Sequence, residues 1–474
     1  MKVVVIGGGI SGLATAFRVQ EGARAQGLPL ALTVLEADPR LGGTLYTHQE
    51  RCWAVEAGPN GFLTNKASTL QLVADLGLSH RLLPADSAAQ RRFIYVGGRL
   101  RALPASPLGF LFSRVLPLKG KLAVLREPWQ PVGPADETLA AFGTRRLGPA
   151  AVDNLLDPFV SGVFAGDPSQ LSVSAAFPVI KALEREHGSL IRGMRARARA
   201  RRAAGEASQG GGPAGPGGHL TSLKGGMGEL IEGLAARLGD GVRRSGRVRA
   251  VERLGPGFRV HLVTGEAIEA DLVISAAPAP QAASYLEGLS EPISSTLRAT
   301  PYASIAVVAT GFKTSELGHP LDGFGFLVPS KAQRSILGTL WSSSVYPGHR
   351  TPPGHVLMRT MVGGARNPAL PSLDDDALLD LVRQENNFIM GTRWREPSYL
   401  RIIRWRQAIP QYLVGHLDRV ARIELELRAH PGLFITGNHL RGVSVNDCTA
   451  DAERTAQLAL QALRRRVEAS AHAS

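Results

Sequence analysis

Cysteine is nearly absent: Cys52 and Cys448 are the two in 474 residues. Two thiols make neither a disulfide framework nor a ligand cluster. That excludes a stapled secreted scaffold and a cysteine metal site, and it suits a reducing compartment. No metal is expected. Long apolar runs are missing too, and none approaches the roughly 18 residues of a membrane-spanning helix. The opening residues, MKVVVIGGG, enter a strand at once and lack the charged, apolar and small-residue regions of a secretory signal. A cytoplasmic protein is the expectation.

Basic residues are in excess, and the formal net charge is +14. Such a balance suits nucleic acid, anionic lipid or an acidic substrate. Part of it is local. RGMRARARARRAAGE (192–206) is dense in arginine, and GEASQGGGPAGPGGH after it has the composition of a flexible loop. A solvated helix end followed by a linker accounts for both. No nucleic-acid motif accompanies the charge, so no nucleic-acid partner is expected.

Three distant blocks share one style. KVVVIGGGISGLATAFRVQEGA reads as a buried parallel strand, a glycine turn and a helix, and LALTVLEAD as a second strand, which completes a βαβ unit. VRAVERLGPGFRVHLVTGEAIEADLVISAAP reads as strand, turn, strand, turn, strand. From PGLFITGNHL onward come a short strand, a glycine loop and a long closing helix. Residues 1–60, 219–286 and 408–474 are therefore read as one discontinuous nucleotide-binding domain. Residues 61–218 form a mainly helical insertion. Within it ALPASPLGFLFSRVLPLKGKL (102–122) couples apolar to basic residues, as a membrane-interface segment or a greasy tunnel would. Residues 287–407 carry ASIAVVATGF, GFGFLVP, HVLMRTMVGG and YLRIIRW, which read as a sheet with the helix DDDALLDLVRQE on one side. That helix is expected to lose its pattern near Asn386 and Asn387, poor helix formers. The fold class is α/β: a Rossmann-like domain with an inserted α+β substrate domain and a mostly helical membrane or tunnel domain.

Gly7, Gly9 and Gly12 spell G-x-G-x-x-G between a strand and an alanine-rich helix, the context the motif requires. Gly7 permits the tight turn, Gly9 lets backbone approach a pyrophosphate, and Gly12 lets helix pack on strand. Gly8, Ile10 and Ser11 complete the turn, and the helix N-terminus turns free N–H groups toward phosphate. Glu36, with Ala37 after it, ends the second strand where an acid accepts ribose hydroxyls. It would repel a 2′-phosphate, which leaves FAD or NAD.

EADPRLGGTLYT (36–47) separates those two. A basic residue and a glycine pair follow the ribose acid almost at once. Gly42, Gly43 and Thr44 let backbone pass close to a long cofactor, and Arg40 can serve its phosphates. Flavoproteins of the glutathione-reductase and amine-oxidase type carry this extension, so one non-covalent FAD is expected. Gly58, Pro59, Asn60 and Gly61 form a further glycine turn suited to the isoalloxazine. LKGGMGELIEGLAARL (223–238) resembles the second glycine landmark of the amine-oxidase group.

AQRRFIYVGG (89–98) sets two arginines at the start of an apolar strand. Period two sends Arg91 and Arg92 to opposite faces. One of them is drawn among apolar neighbours, where an unpaired guanidinium is costly. Spacing alone does not choose between them.

The chain resembles the oxygen-dependent protoporphyrinogen oxidases, near the myxobacterial and eukaryotic members, from about Lys2 to Ala462. The resemblance rests on GGGISGL, LGGT, GPNGFL, RRFIYVGGRLRALP, SGVFAGDPSQLSV, DGFGFLVPS, MVGGAR, IPQYLVGHL and RGVSVNDC. FAGDP, GFLVPS and PQYLVGH are the branch-specific ones. The resemblance implies six-electron oxidation of protoporphyrinogen IX by O2 through FAD, with H2O2 released. It implies Arg92 as the propionate anchor and Gly162 beside the reacting carbon. Phe324, Leu327, Leu340 and Met361 are implied as apolar walls. Val248 is implied at the adenine, Trp405 near the flavin, and Val443, Ser444 and Val445 as the closing loop. Peripheral contact with the inner membrane face is expected from LPASPLGFLFSRVLPLKGKL (103–122) and the product's apolarity, and hand-over to ferrochelatase and a homodimer are further expectations. His416 and His439 are read as structural.

Rival readings keep the flavin and change the substrate. Coproporphyrinogen III has four propionates and would want more cations than Arg92. An amine oxidase would want an aromatic cage, and aromatics are 6% of the chain. A carotenoid desaturase would want a long apolar tunnel, which SPLGFLF alone leaves open.

Overall fold

The computed structural model describes residues 1–104, 106–203 and 218–473. Its first layer is a five-stranded parallel sheet in the order Val242–Arg243, Ala31–Leu35, Lys2–Ile6, Leu272–Ser275, Leu433–Ile435. Val4 lies opposite both Thr33 and Val273. Both faces are covered, which is why these strands read as unbroken apolar runs. One face packs on the helices Ile10–Ala25, Gly228–Leu238 and Val445–Ala473, the other on Ala279–Leu286 and Glu291–Arg298.

The block 248–278 holds four strands where the sequence suggested three. Val248–Leu254, Gly257–Leu262 and Ala267–Ala270 make an antiparallel sheet of their own. The chain changes sheets at Asp271, whose N–H donates to Lys2 O at 2.8 Å while its Oδ2 accepts from Lys2 N at 2.6 Å. A single acidic residue thus ends one strand and begins the next.

The second layer is a seven-stranded sheet ordered Tyr399–Pro410, Tyr302–Lys313, His355–Gly363, Ile336–Trp341, Gly325–Leu327, Arg92–Val96, Arg99–Ala102. This sheet crosses the segment boundaries drawn from sequence. Its Arg92–Ala102 hairpin comes from the insertion read as helical, and its Tyr399–Pro410 strand runs past residue 407. Pairing between Gly325–Leu327 and Arg92–Val96 is parallel and long-range, so nothing local announces it.

The helix beneath this sheet corrects another expectation. It runs unbroken over Asp375–Met390 and ends at Gly391. Asn386 does not disrupt it, because the side chain is buried and fully employed. Its Oδ1 accepts from Thr339 Oγ1 at 2.8 Å and its Nδ2 donates to Thr360 Oγ1 at 3.0 Å. Asn387 Nδ2 donates to Trp394 O at 3.0 Å, fixing the chain after the helix end. Tertiary hydrogen bonds override a modest propensity penalty.

The insertion carries short helices around a buried ionic cluster. Glu184 accepts from Lys181, Arg145 and Arg146 at 2.6–2.7 Å. Glu127 accepts from Leu190 N–H at 2.7 Å and so caps the arginine-rich helix Leu190–Ala203. The glycine-rich stretch after that helix, 204–217, lies outside the described residues.

Candidate active site

The first glycine turn builds a cradle. Gly12 lies so close to the turn that a Cβ there would stand 1.9 Å from Gly7 O, so helix and strand meet only through glycine. Gly9 faces open space at the start of Ile10–Ala25, where first-turn N–H groups need a partner. Glu36 lies beside it and accepts from Gly8 N–H at 2.7 Å and from Asp38 N–H at 2.8 Å. Gly246 N–H reaches Glu36 O at 2.8 Å, which brings Val248 to the same edge.

The second loop docks on the first. Gly42 N–H donates to Gly8 O at 2.8 Å, and Gly9 and Gly42 pair as an isolated bridge. Arg40 donates to Leu41 O at 2.8 Å and Gly43 O at 2.9 Å, so it braces its own loop. Its guanidinium lies 4.4 Å from the Tyr46 ring centroid and 6.0 Å from that of Trp405. The third loop, 57–61, follows at once: a Cβ on Gly58 would stand 2.2 Å from Thr44 O. Trp405 Nε1 donates to Ala57 O at 2.8 Å. The closing loop delivers a second helix N-terminus, where Ser444 Oγ accepts from Asp447 N–H and Asp447 Oδ2 accepts from Ser444 N–H, each at 3.2 Å. Two helix starts, three paired glycine loops and a ribose acid at one sheet end fit FAD. These residues would hold its phosphates, ribose and ring in turn.

The seven-stranded sheet supplies the facing wall. Residues in lateral register share a face. One row reads Arg92, Gly325, Leu340, Arg359. The next reads Ile94, Leu327, Gly338, Met361, Val307. The structure thus gathers Arg92, Leu327, Leu340 and Met361 from four strands onto one face. The intervening row, Phe93, Phe326, Thr339 and Thr360, turns to the opposite side, toward Asp375–Met390. Gly162 joins from the helix Asp157–Phe164, where a Cβ would stand 3.0 Å from Leu327 Cδ2. Phe324 lies under Arg92, ring centroid 5.1 Å from the guanidinium carbon.

The two arginines separate cleanly. Arg91 pairs with Asp322 at 2.9 Å. Arg92 has no carboxylate partner among the described residues. It is open to solvent, yet surrounding protein lowers its pKa by desolvation, which is the situation of a cation in a cleft.

Sequence reasoning missed Arg359, Glu56 and Arg350. Arg359 donates to Gly58 O at 2.8 Å and to Asn60 Oδ1 at 3.3 Å, so it grips the third loop. Glu56 accepts from Thr47 Oγ1 at 2.8 Å and Met227 N–H at 2.9 Å, with Arg350 at 3.6 Å. Burial pushes the Glu56 carboxyl up. The signal that drew attention to Arg91 and Arg92, a cation in an apolar strand, was equally present at Arg359 in HVLMRTMVGG. His416 and His439 are both buried, which pulls each down to about 4. His416 stacks on Tyr412 at 4.0 Å and bonds Leu440 O at 3.0 Å, a packed neutral ring.

Comparison with known proteins agrees with this geometry. Residues 10–460 match the model of the flavin-containing amine oxidoreductases. The chain is 32% identical to the coproporphyrinogen III oxidase of Bacillus subtilis, over 94% of this chain and 95% of that one. It is equally 32% identical to the protoporphyrinogen oxidase of Homo sapiens, over 96% and 97%. A crystal structure provisionally assigned as a protoporphyrinogen oxidase, from Exiguobacterium sp. 255-15, superposes with a TM-score of 0.82 at 29% identity, covering 97% of this chain and 98% of that one. A UDP-galactopyranose mutase shares the fold, with a TM-score of 0.71 at 16% identity, over 98% of this chain and 95% of that one. The chain belongs to the flavin-containing amine oxidoreductase family, and its cofactor is FAD.

Proposed function

We propose that this oxidoreductase converts protoporphyrinogen IX to protoporphyrin IX. One observation carries the reading: among the described residues Arg92 is a guanidinium with neither a carboxylate nor a hydrogen-bond partner, at the edge of a face that also carries Leu327, Leu340, Met361 and Ile94, while Arg359 on that face is held by Gly58 O and Asn60 Oδ1. An apolar macrocycle with a carboxylate at its rim complements that face. Arg92 grips a propionate through its planar fork and is stacked on Phe324, which limits its rotamers. Gly325, between Arg92 and Leu340, leaves a flat gap in the wall that a pyrrole ring can cover. Gly162 closes the slot from the helical side, and Trp405 and Arg359 hold the third loop against the sheet. FAD, when bound, accepts two electrons per step and passes them to O2, so six electrons and six protons leave as three H2O2. None of the wall residues except Arg92 titrates, so the pyrrole protons leave to water. The protein's share of the work is orientation and exclusion of solvent.

Coproporphyrinogen III is the second reading, favoured by the equal identity to the Bacillus subtilis relative. Its four propionates would need cations beyond Arg92. On the same face Arg359 is committed to the third loop. Aerobic assay of both porphyrinogens, read as porphyrin fluorescence, separates the two. Faster turnover of the protoporphyrinogen supports the first reading, and preference for the coproporphyrinogen replaces it with the second.

A peripheral membrane site on the cytoplasmic face belongs to the same proposal. Leu108, Phe112, Leu118 and Trp129 are 70%, 84%, 73% and 77% exposed. Arg114, Lys119 and Lys121 lie among them in sequence, which suits an anionic bilayer. No helix among the described residues is long and apolar enough to cross a membrane. Hand-over of an insoluble product to a ferrochelatase, and a homodimer, complete the proposed setting.

A further inference from the structure

Arg359 and Arg350 are two buried guanidinium groups served by one buried carboxylate. Arg359 is 3% exposed, Arg350 1% and Glu56 1%. Glu56 stands 3.6 Å from Arg350. Glu229, the other acid that acts on Arg350, is taken by Arg81 at 3.1 Å. Arg350 donates to Lys224 O, His349 O, Ser222 Oγ and Leu223 O at 3.0–3.2 Å, and its Nε has no partner among the described residues. Arg359 meets only neutral acceptors, Gly58 O and Asn60 Oδ1, and its Nε has no partner among the described residues. The cluster therefore holds one positive charge more than it balances. An uncompensated buried cation is costly, and burial, opposed by Glu56 and assisted by the Arg350 charge, pulls Arg359 down to about 10.

The surplus lies under the cofactor cradle. Contacts lead from the first glycine loop to Gly42, from Thr44 to Gly58, and from Gly58 to Arg359. A positive charge fixed in low dielectric favours whatever gains negative charge nearby. Here that group is the FAD, which becomes more electron-rich on reduction. We propose that Arg359 sets the reduction potential of the bound FAD, with Glu56 as the opposing weight. The inference needs FAD in the cradle and holds whichever porphyrinogen is oxidised.

The test uses the full-length, FAD-loaded protein and equilibrium reduction against reference dyes. Arg359→Met should shift the oxidised-to-reduced balance toward the oxidised form by at least tenfold, which for a two-electron couple is about 30 mV more negative. Arg359→Lys keeps the charge and should stay within about threefold of wild type. Glu56→Gln removes the opposing charge and should move the potential the other way. A purely structural role would loosen FAD and lower the melting temperature without ordering the three potentials by charge. An unchanged Arg359→Met potential, or shifts of the same sign in Arg359→Met and Glu56→Gln, overturns the proposal. If Arg359→Met does not retain FAD, Glu56→Gln decides alone: a raised potential supports it, and an unmoved or lowered one overturns it.

Discussion

Arg92 and Leu340 flank Gly325 in one lateral row of the seven-stranded sheet, so the cation and the apolar wall share a face with no side chain between them. The spacing is fixed by backbone hydrogen bonding and does not depend on side-chain rotamers.

Arg92→Ala should raise KM for protoporphyrinogen IX roughly 10- to 100-fold, the loss of a charged hydrogen-bonded contact. The turnover number should change far less, because the group binds a remote carboxylate. Arg92→Lys should recover part of the affinity, since it restores charge without the fork. Steady-state fluorescence assays read both constants, and an unaltered KM in the alanine variant would remove Arg92 as the anchor.

Gly325→Ala strikes the gap itself. Gly325 has φ +128°, and an added Cβ would stand 2.1 Å from Thr339 O. Backbone cannot yield there without parting two strands. The substitution should cost about 1–3 kcal/mol in stability, visible as a lowered thermal midpoint.

Asn386→Ala should destabilise by about 1–3 kcal/mol, because it strips Thr339 and Thr360 of a buried partner. The two hydroxyls, 3.0 Å apart, can still bond each other, which keeps the loss at the lower end. Denaturant titration of wild type and variant measures it.

Glu184 predicts acid sensitivity. Burial alone would raise its pKa, but the Lys181, Arg145 and Arg146 donors outweigh this and hold it at about 2. The folded value is thus below the ordinary value of 4.5. The carboxylate's contribution is present above that ordinary value and fades as pH falls from there toward about 2. Glu184→Gln should flatten this part of the stability profile. At neutral pH it should cost on the order of 3 kcal/mol, since it leaves Arg146 short of a buried partner. Thermal melts across acid pH check both outcomes.

Leu108→Ser with Phe112→Ser should abolish flotation with anionic liposomes at low salt while leaving porphyrinogen turnover in detergent intact. Wild-type protein remaining at the bottom of the gradient would count against the membrane site.

The nucleotide-binding unit was readable in the sequence because its determinants are local. Gly7, Gly9, Gly12 and Glu36 lie within one βαβ unit, and each answers a steric or electrostatic need that neighbours in the chain define. The apolar strands of the second sheet were readable for the same reason. What spacing left open was the choice between Arg91 and Arg92, and that choice is a matter of long-range pairing. Asp322, brought beside Arg91 by a distant segment, neutralises one arginine and leaves the other unpaired. Arg359 and Glu56 stayed hidden because a charge in a strand declares its purpose only when its partners are in place. Asn386 misled because helix propensity is a small local term, and two buried threonine hydroxyls from other strands outweigh it. Local sterics set the cradle, and only the register of strands far apart in the chain decided which charges face it.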